Sequence, residues 1–233
     1  MSSCDVTAEP GRQSVLSGEY EIMSGELVSP LCFGRRRGFP AHVLRLTKGR
    51  LMADEALRQV FPGLDLDTFW EDSAYADETY NGGYPTDQLV SSVEAELGFR
   101  LPASYVALMR MRNGGIPRNT CCPAPSRTTW AEDHVALNAI MGIGREREGS
   151  LAGPMGSRLF VEEWGYPEIG VYFADCPSAG HDMIAFDYRD CGPDGEPRVV
   201  HVDQEAGYRI TVLAPDFVSF VQALRPEDDY DYD

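Results

Sequence analysis

Apolar residues recur along this chain at two different periods, and the change falls near Gly115. Before it the spacing is three and four, as on one face of a helix; after it, short apolar runs are separated by Gly, Pro and Asp. Thr86 stands where an N-cap belongs, Leu89, Val90, Val93 and Leu97 form one stripe, and Gly98 offers a left-handed stop. Pro102, with its fixed φ and missing N–H, suits the first turn of a second helix whose inner face carries Leu101, Tyr105, Leu108 and Met109. Asn113, Gly114 and Gly115 then tolerate positive φ, so the chain can leave by a sharp turn.

Upstream, "MADEALRQVF" predicts a helix from Met52 with Leu57, Val60 and Phe61 on one side. Downstream, "NAIMGIG", "RLFVEEW", "GVYFADC", "MIAFDY", "RVVHVD" and "YRITVLA" read as strands, and their short links imply antiparallel pairing. In "APDFVSFVQAL", Pro215 or Asp216 starts a closing helix with Phe217, Phe220, Val221 and Leu224 turned inward. The predicted class is α+β: a mainly antiparallel sheet of about five to six strands packed with N-terminal helices and a C-terminal helix.

Three segments follow from the same pattern. Residues 52–225 form a single domain, 226–233 ("PEDDYDYD") an acidic, disordered tail, and 1–51 a disordered or non-native leader without sustained periodicity. Lys48 and Gly49 have codons that can spell a purine-rich ribosome-binding sequence ahead of Met52, which makes Met52 the expected start of the native chain.

Charge narrows the partners. The formal net charge is −17, and the segment before Met52 is slightly basic, so the excess of acid lies in the domain. Nucleic acid and anionic membranes are bound chiefly through clustered Lys and Arg, and neither suits this chain. A basic protein surface does. The N-terminus lacks the pattern of a signal peptide, no window approaches the ~20 apolar residues of a membrane span, and a cytoplasmic protein is expected. Cys4, Cys32, Cys121, Cys122, Cys176 and Cys191 then read as reduced thiols; without a C-x-x-C they suggest no zinc site, and no cofactor is expected.

Catalytic patterns are thin. In "MGIGREREG", Arg147 occupies the third glycine position of a dinucleotide fingerprint. In "DCPSAGHD", Cys176, His181 and Asp182 could supply thiol, base and orienting acid, yet the same residues describe an ordinary strand connection. His134 and His201 read as structural histidines, and Trp164 as a partly buried core residue with Glu162, Glu163 and Glu168 around it.

The stretch "VEAELGFRLPASYVALMRMRNGG" resembles the signature of the SUKH superfamily: a helix, Leu-Gly, Leu-Pro, a second helix, then Asn-Gly-Gly. The similarity continues through "IAFDY", where Asp187 matches an aspartate of such proteins, and through the terminal helix, from residue 66 to 225. The superfamily joins a fungal cell-wall regulator to many bacterial toxin-immunity proteins. It implies an α+β domain without enzymatic chemistry that binds and neutralises a protein toxin, often a nuclease; an interaction scaffold or regulator with no toxin is the alternative. Of the basic residues only Lys48 is lysine, which suggests a GC-rich bacterial genome and favours the immunity branch. Acidic residues at turns and strand ends, which a rigid sheet can present together, are the expected partner contacts: Glu162, Glu163, Asp175, Asp182, Asp190 and Glu205, all taken to be solvated. The alternative surface is the aromatic segment around Trp70 and Tyr75.

Overall fold

The structure, a computed structural model, describes residues 57–230; the expected start at Met52 and the segment 1–51 lie outside them. Leu57 to Val60 are helical, with Leu57 and Phe61 buried. Three further helices precede the sheet among the described residues: α1 (Ala74–Thr79), α2 (Asp87–Leu97) and α3 (Ala103–Met111). The Thr86 hydroxyl accepts from the Leu89 N–H at the start of α2, and Gly98 ends it at φ 80°. Pro102 sits just outside α3 as its N-cap, and Tyr105, Leu108 and Met109 are buried as the stripe predicts. Helix α1 was not expected; Ser73 caps it, and only Ala76 is buried along its length.

Strands β3 (Ala139–Ile140), β4 (Gly170–Asp175), β5 (Asp182–Asp187), β6 (Arg198–Asp203) and β7 (Arg209–Ala214) form one antiparallel sheet in chain order. A second, two-stranded sheet pairs β1 (Cys121–Pro123) with β2 (His134–Ala136). Residues of β4, β5 and β6 are almost all buried, so both sheet faces are covered and these strands read as continuous apolar runs. On one face Phe186 stacks on Phe173, and Tyr105 of α3 meets both rings edge-on. Helix α5 (Phe217–Ala223), capped by Asp216, adds Phe217 and Phe220 to that cluster. Tyr172 pairs with Ala185 and therefore points to the opposite face, where Phe160 and Tyr166 cover it.

Phe160 belongs to helix α4 (Ser157–Glu162), which corrects one expectation: "RLFVEEW" is helical, not a strand. A short apolar run fits either period, and here burial of Ser157 and Phe160, three apart, together with the Arg158–Glu162 pair four apart, satisfies the helix. The tail also differs from expectation up to Tyr230. Glu227–Asp229 form a 3-10 turn, Cys121 and Arg225 exchange two backbone hydrogen bonds, and the Tyr230 ring lies 4.0 Å from that of His134.

The turn after α3 is packed rather than loose. The Asn113 side-chain amide donates to the carbonyls of Gly83 and Ile143, and its oxygen accepts from the Ile143 N–H at 2.7 Å. Gly114, at φ 97°, lies against the Tyr80 carbonyl and the backbone of Gly142. "MGIG" is thus the seat of the Asn-Gly-Gly turn.

Asp187 has a similar structural task. Its side chain is fully covered, and it accepts from Arg189 through both oxygens at 2.8 Å and from Arg198 Nε at 2.9 Å. Burial alone would raise its pKa, but the hydrogen bonds from Arg189 and Arg198 outweigh it and hold the carboxyl down at about 2. Because the folded pKa lies below the unfolded one, the contribution of Asp187 is complete above the unfolded value of 3.8 and is lost as pH falls through the folded value. Asp187→Asn is expected to cost stability at pH 6, and the gap from wild type should close between pH 4 and 2. Urea titrations across that range check it; a gap that stays constant would mean the carboxylate charge contributes nothing.

Candidate functional site

The six predicted contact residues do not form one surface. β4 ends and β5 begins at the same edge of the sheet, which places Asp175, Asp182 and the β6–β7 turn residue Glu205 at that end. Glu163 is close to it, since the neighbouring Trp164 accepts from Tyr208 Oη through its carbonyl and packs on Gly180. Asp190, in the β5–β6 connection, is at the far end, paired with Arg198 at 2.7 Å. Glu162 and Glu163 are exposed at the end of α4, Glu162 already paired with Arg158, and Glu205 is exposed.

Two of the six are not solvated. Asp182 is 3% exposed and faces His201 Nε2 at 3.3 Å, without forming a directed hydrogen bond. Asp175 is largely covered, with the Tyr80 side chain from the end of α1 and Asn138 hydrogen-bonded to it. Strand-end position says little about burial when a side chain from a distant segment packs on that end. The histidine of the suspected triad, His181, is engaged elsewhere: its Nδ1 lies 3.0 Å from Gln204 Oε1. Burial raises the Cys176 thiol, with Asp182 and Asp175 pushing the same way, the reverse of an activated nucleophile. Trp164 is partly buried, as expected.

What the fold does build is a cleft of about 500 Å³ over this end of the sheet. Tyr75, Thr79 and Tyr80 come from α1 and its end, Asn138 and Met141 flank β3, and Phe160 comes from α4. Glu148, Gly149 and Met155 form one side, and the β4–β5 turn closes the other. Gly149 is required there, since a Cβ would stand 2.4 Å from the Tyr80 ring. Tyr75 is 56% exposed and Met155 37%, so the rim is apolar. Among the described residues, the only charged side chains lining the cleft are the acids Glu148 and Asp175.

Asp175 Oδ2 accepts from Tyr80 Oη at 3.1 Å and from Asn138 Nδ2 at 2.9 Å. Oδ1 is buried and has no hydrogen-bond partner, with the N–H groups of Ala139 and of Asp175 itself nearby. Burial raises the pKa of this carboxyl, and the Asn138 and Tyr80 hydrogen bonds pull it partway back. The Tyr80 phenol is pushed well up by burial and by the Asp175 charge, so it remains a donor. A buried carboxylate oxygen without a partner is costly, and such a group is commonly completed by a cation or donor from elsewhere. Glu148, Tyr75, Tyr80 and Asn138 were not readable as a set, because six separated segments meet here.

Among the described residues no helix is long and apolar enough to cross a membrane, and no cluster of three or more His, Cys, Asp or Glu could hold a metal ion. An antiparallel meander between paired N-terminal helices and a closing helix, with a cleft at one end, defines an α+β domain. The family described as SMI1-KNR4 cell-wall (SUKH_6) matches residues 87–221, more than half of the chain, and the protein belongs to that family. The family includes toxin-immunity proteins and cell-wall regulators and is generally non-catalytic. No curated protein matches the chain.

Proposed function

We propose that this protein is an immunity protein: it binds a protein toxin, a basic nuclease domain, and neutralises it by occluding its active surface with acidic side chains. A nuclease that holds an anionic backbone presents cationic groups, and a chain of net charge −17 is steered towards them. The observation that carries this reading is the sheet end, where a cleft whose charged lining among the described residues is acidic lies beside exposed Glu163 and Glu205. Complementary potential of this kind mainly raises the association rate and rejects wrong partners. A regulator or scaffold of the same fold would bind a partner without inhibiting it.

An immunity gene is expected to sit beside the gene of its toxin, and the test uses the toxin domain encoded there. Stoichiometric addition of the protein should abolish its nuclease activity, and the complex should weaken as salt is raised from low to physiological concentration. Binding without inhibition would favour the scaffold, and no binding at any ionic strength would overturn the proposal.

A further inference from the structure

Resting on that reading, we propose that the cleft at the sheet end is an arginine socket: it receives the side chain of one arginine from the basic protein partner, with the guanidinium paired to Asp175. Three observations converge on arginine. First, Asp175 presents one oxygen already held by Tyr80 and Asn138 and a second, buried, that makes no directed hydrogen bond and has only the backbone N–H groups of Ala139 and of Asp175 itself nearby. The held oxygen fixes the carboxylate, and the open one calls for an N–H donor that carries positive charge.

Second, the walls are aromatic and aliphatic. Tyr75 and Tyr80 meet edge-to-face with centroids 6.0 Å apart, and Phe160, Met141 and Met155 complete the lining. A guanidinium is planar, weakly hydrated and stacks on such rings, while its methylene stem can lie along the methionines. A lysine ammonium is compact and strongly hydrated, and loses more on entering. Third, the donor count fits. Arginine offers five N–H groups in a fixed fork; Asp175 takes some, and exposed Glu148 at the rim can take others. Among the described residues no Lys, Arg or His lines the cleft to compete for either carboxylate.

The site has the form of an interface hot spot, a desolvated pocket with a charge-assisted bond at its base and an apolar rim that excludes water. Asp175 thereby acts in recognition although it is not on the surface, by being reached rather than by reaching out.

The experiment titrates the full-length protein, labelled with nitrogen-15, with three capped tripeptides, Gly-Arg-Gly, Gly-Lys-Gly and Gly-citrulline-Gly. Resonances of the Asn138 side-chain amide and of Gly149 and Gly180 are followed. The arginine peptide should give saturable shifts at all three, the lysine peptide weaker ones, and the neutral citrulline peptide none. Asp175→Asn should weaken the arginine peptide by about tenfold or more, the scale of a lost charge-assisted bond. The fold favours a neutral group at this position, so the variant should remain folded; Glu148→Gln and Tyr75→Ala, both at exposed positions, give independent and smaller losses. Equal shifts with citrulline, unchanged binding to Asp175→Asn, or no shift with any peptide would each overturn the socket. The same variants are then measured against the toxin domain. If that domain binds Asp175→Asn as tightly as wild type, the socket is not part of the interface and the proposal falls while the immunity reading stands. If it fails to bind wild type, the immunity reading falls, and the peptides alone decide whether the cleft takes arginine.

Discussion

Gly114→Val should lower the unfolding free energy by about 3 kcal/mol or more, combining a strained backbone with forced displacement of packed main chain. At φ 97° a side chain is disfavoured whatever the surrounding space. Space is absent as well: an added Cβ would stand 2.5 Å from the Tyr80 carbonyl oxygen and 2.7 Å from the Gly142 nitrogen, both backbone atoms that no rotamer change can move. Gly98 is the internal control. It has φ 80° but nothing within 4 Å, so Gly98→Ala should carry the conformational penalty alone, about 1 kcal/mol. Urea midpoints of the two variants separate strain from collision, and equal losses would show that the turn does not pack against Gly142 as described.

Reversal of Glu148, Glu163 and Glu205 to Lys in one chain should slow association with the toxin domain by about tenfold or more and flatten its salt dependence. These three are exposed, and the structure places them on the cleft rim or near the same end of the sheet. A single exposed charge contributes only about 0.2–1 kcal/mol, so the effect requires several together. Asp190→Lys with Asp194→Lys places two reversals in the connection at the opposite end and should leave the rate much closer to that of wild type. Association rates at two ionic strengths, after circular dichroism confirms the fold, decide it. A triple variant that binds as fast as wild type with the same salt response would sink recognition by charge and leave the apolar rim at Tyr75 and Met155.

Much of the architecture was legible because it rests on local chemistry. The Thr86 hydroxyl starts α2 and Gly98, which has no side chain to resist positive φ, ends it; Asp216 caps α5, and the runs at β4 to β7 pair in chain order. Where two periods fit a short run, as around Phe160, the sequence offered no choice between them until the packing on Tyr172 was visible. Helix α1 escaped notice because it is only six residues long and buries a single alanine, leaving no stripe to read.

The site was less legible, for a different reason. Asp175 and Asp182 sit at strand ends, which ordinarily face water; what covers them is Tyr80 in one case and His201 in the other, both far away in the chain. Glu148 carries no local mark distinguishing it from Glu146 two residues earlier. A cleft assembled from separated segments has no spacing rule, so only the aromatic segment near Tyr75 gave any forewarning of its rim.

The contact between Gly114 and Gly142 also bears on how such a chain can diverge. At most packed positions a larger residue on one side can be offset by a smaller one opposite, so sequences drift in pairs. Here each partner already has the smallest side, and a Cβ at Gly142 would itself stand 2.3 Å from the Asn113 carbonyl oxygen. No second substitution can restore the fit, which closes the compensatory route at both positions. Tyr75, Glu148 and Met155 carry no such restriction: they project from the cleft rim, and their replacement leaves the backbone contact beneath them untouched. If the cleft receives a partner as proposed, a lineage can exchange one partner for another by altering the rim while the glycine pair stays fixed.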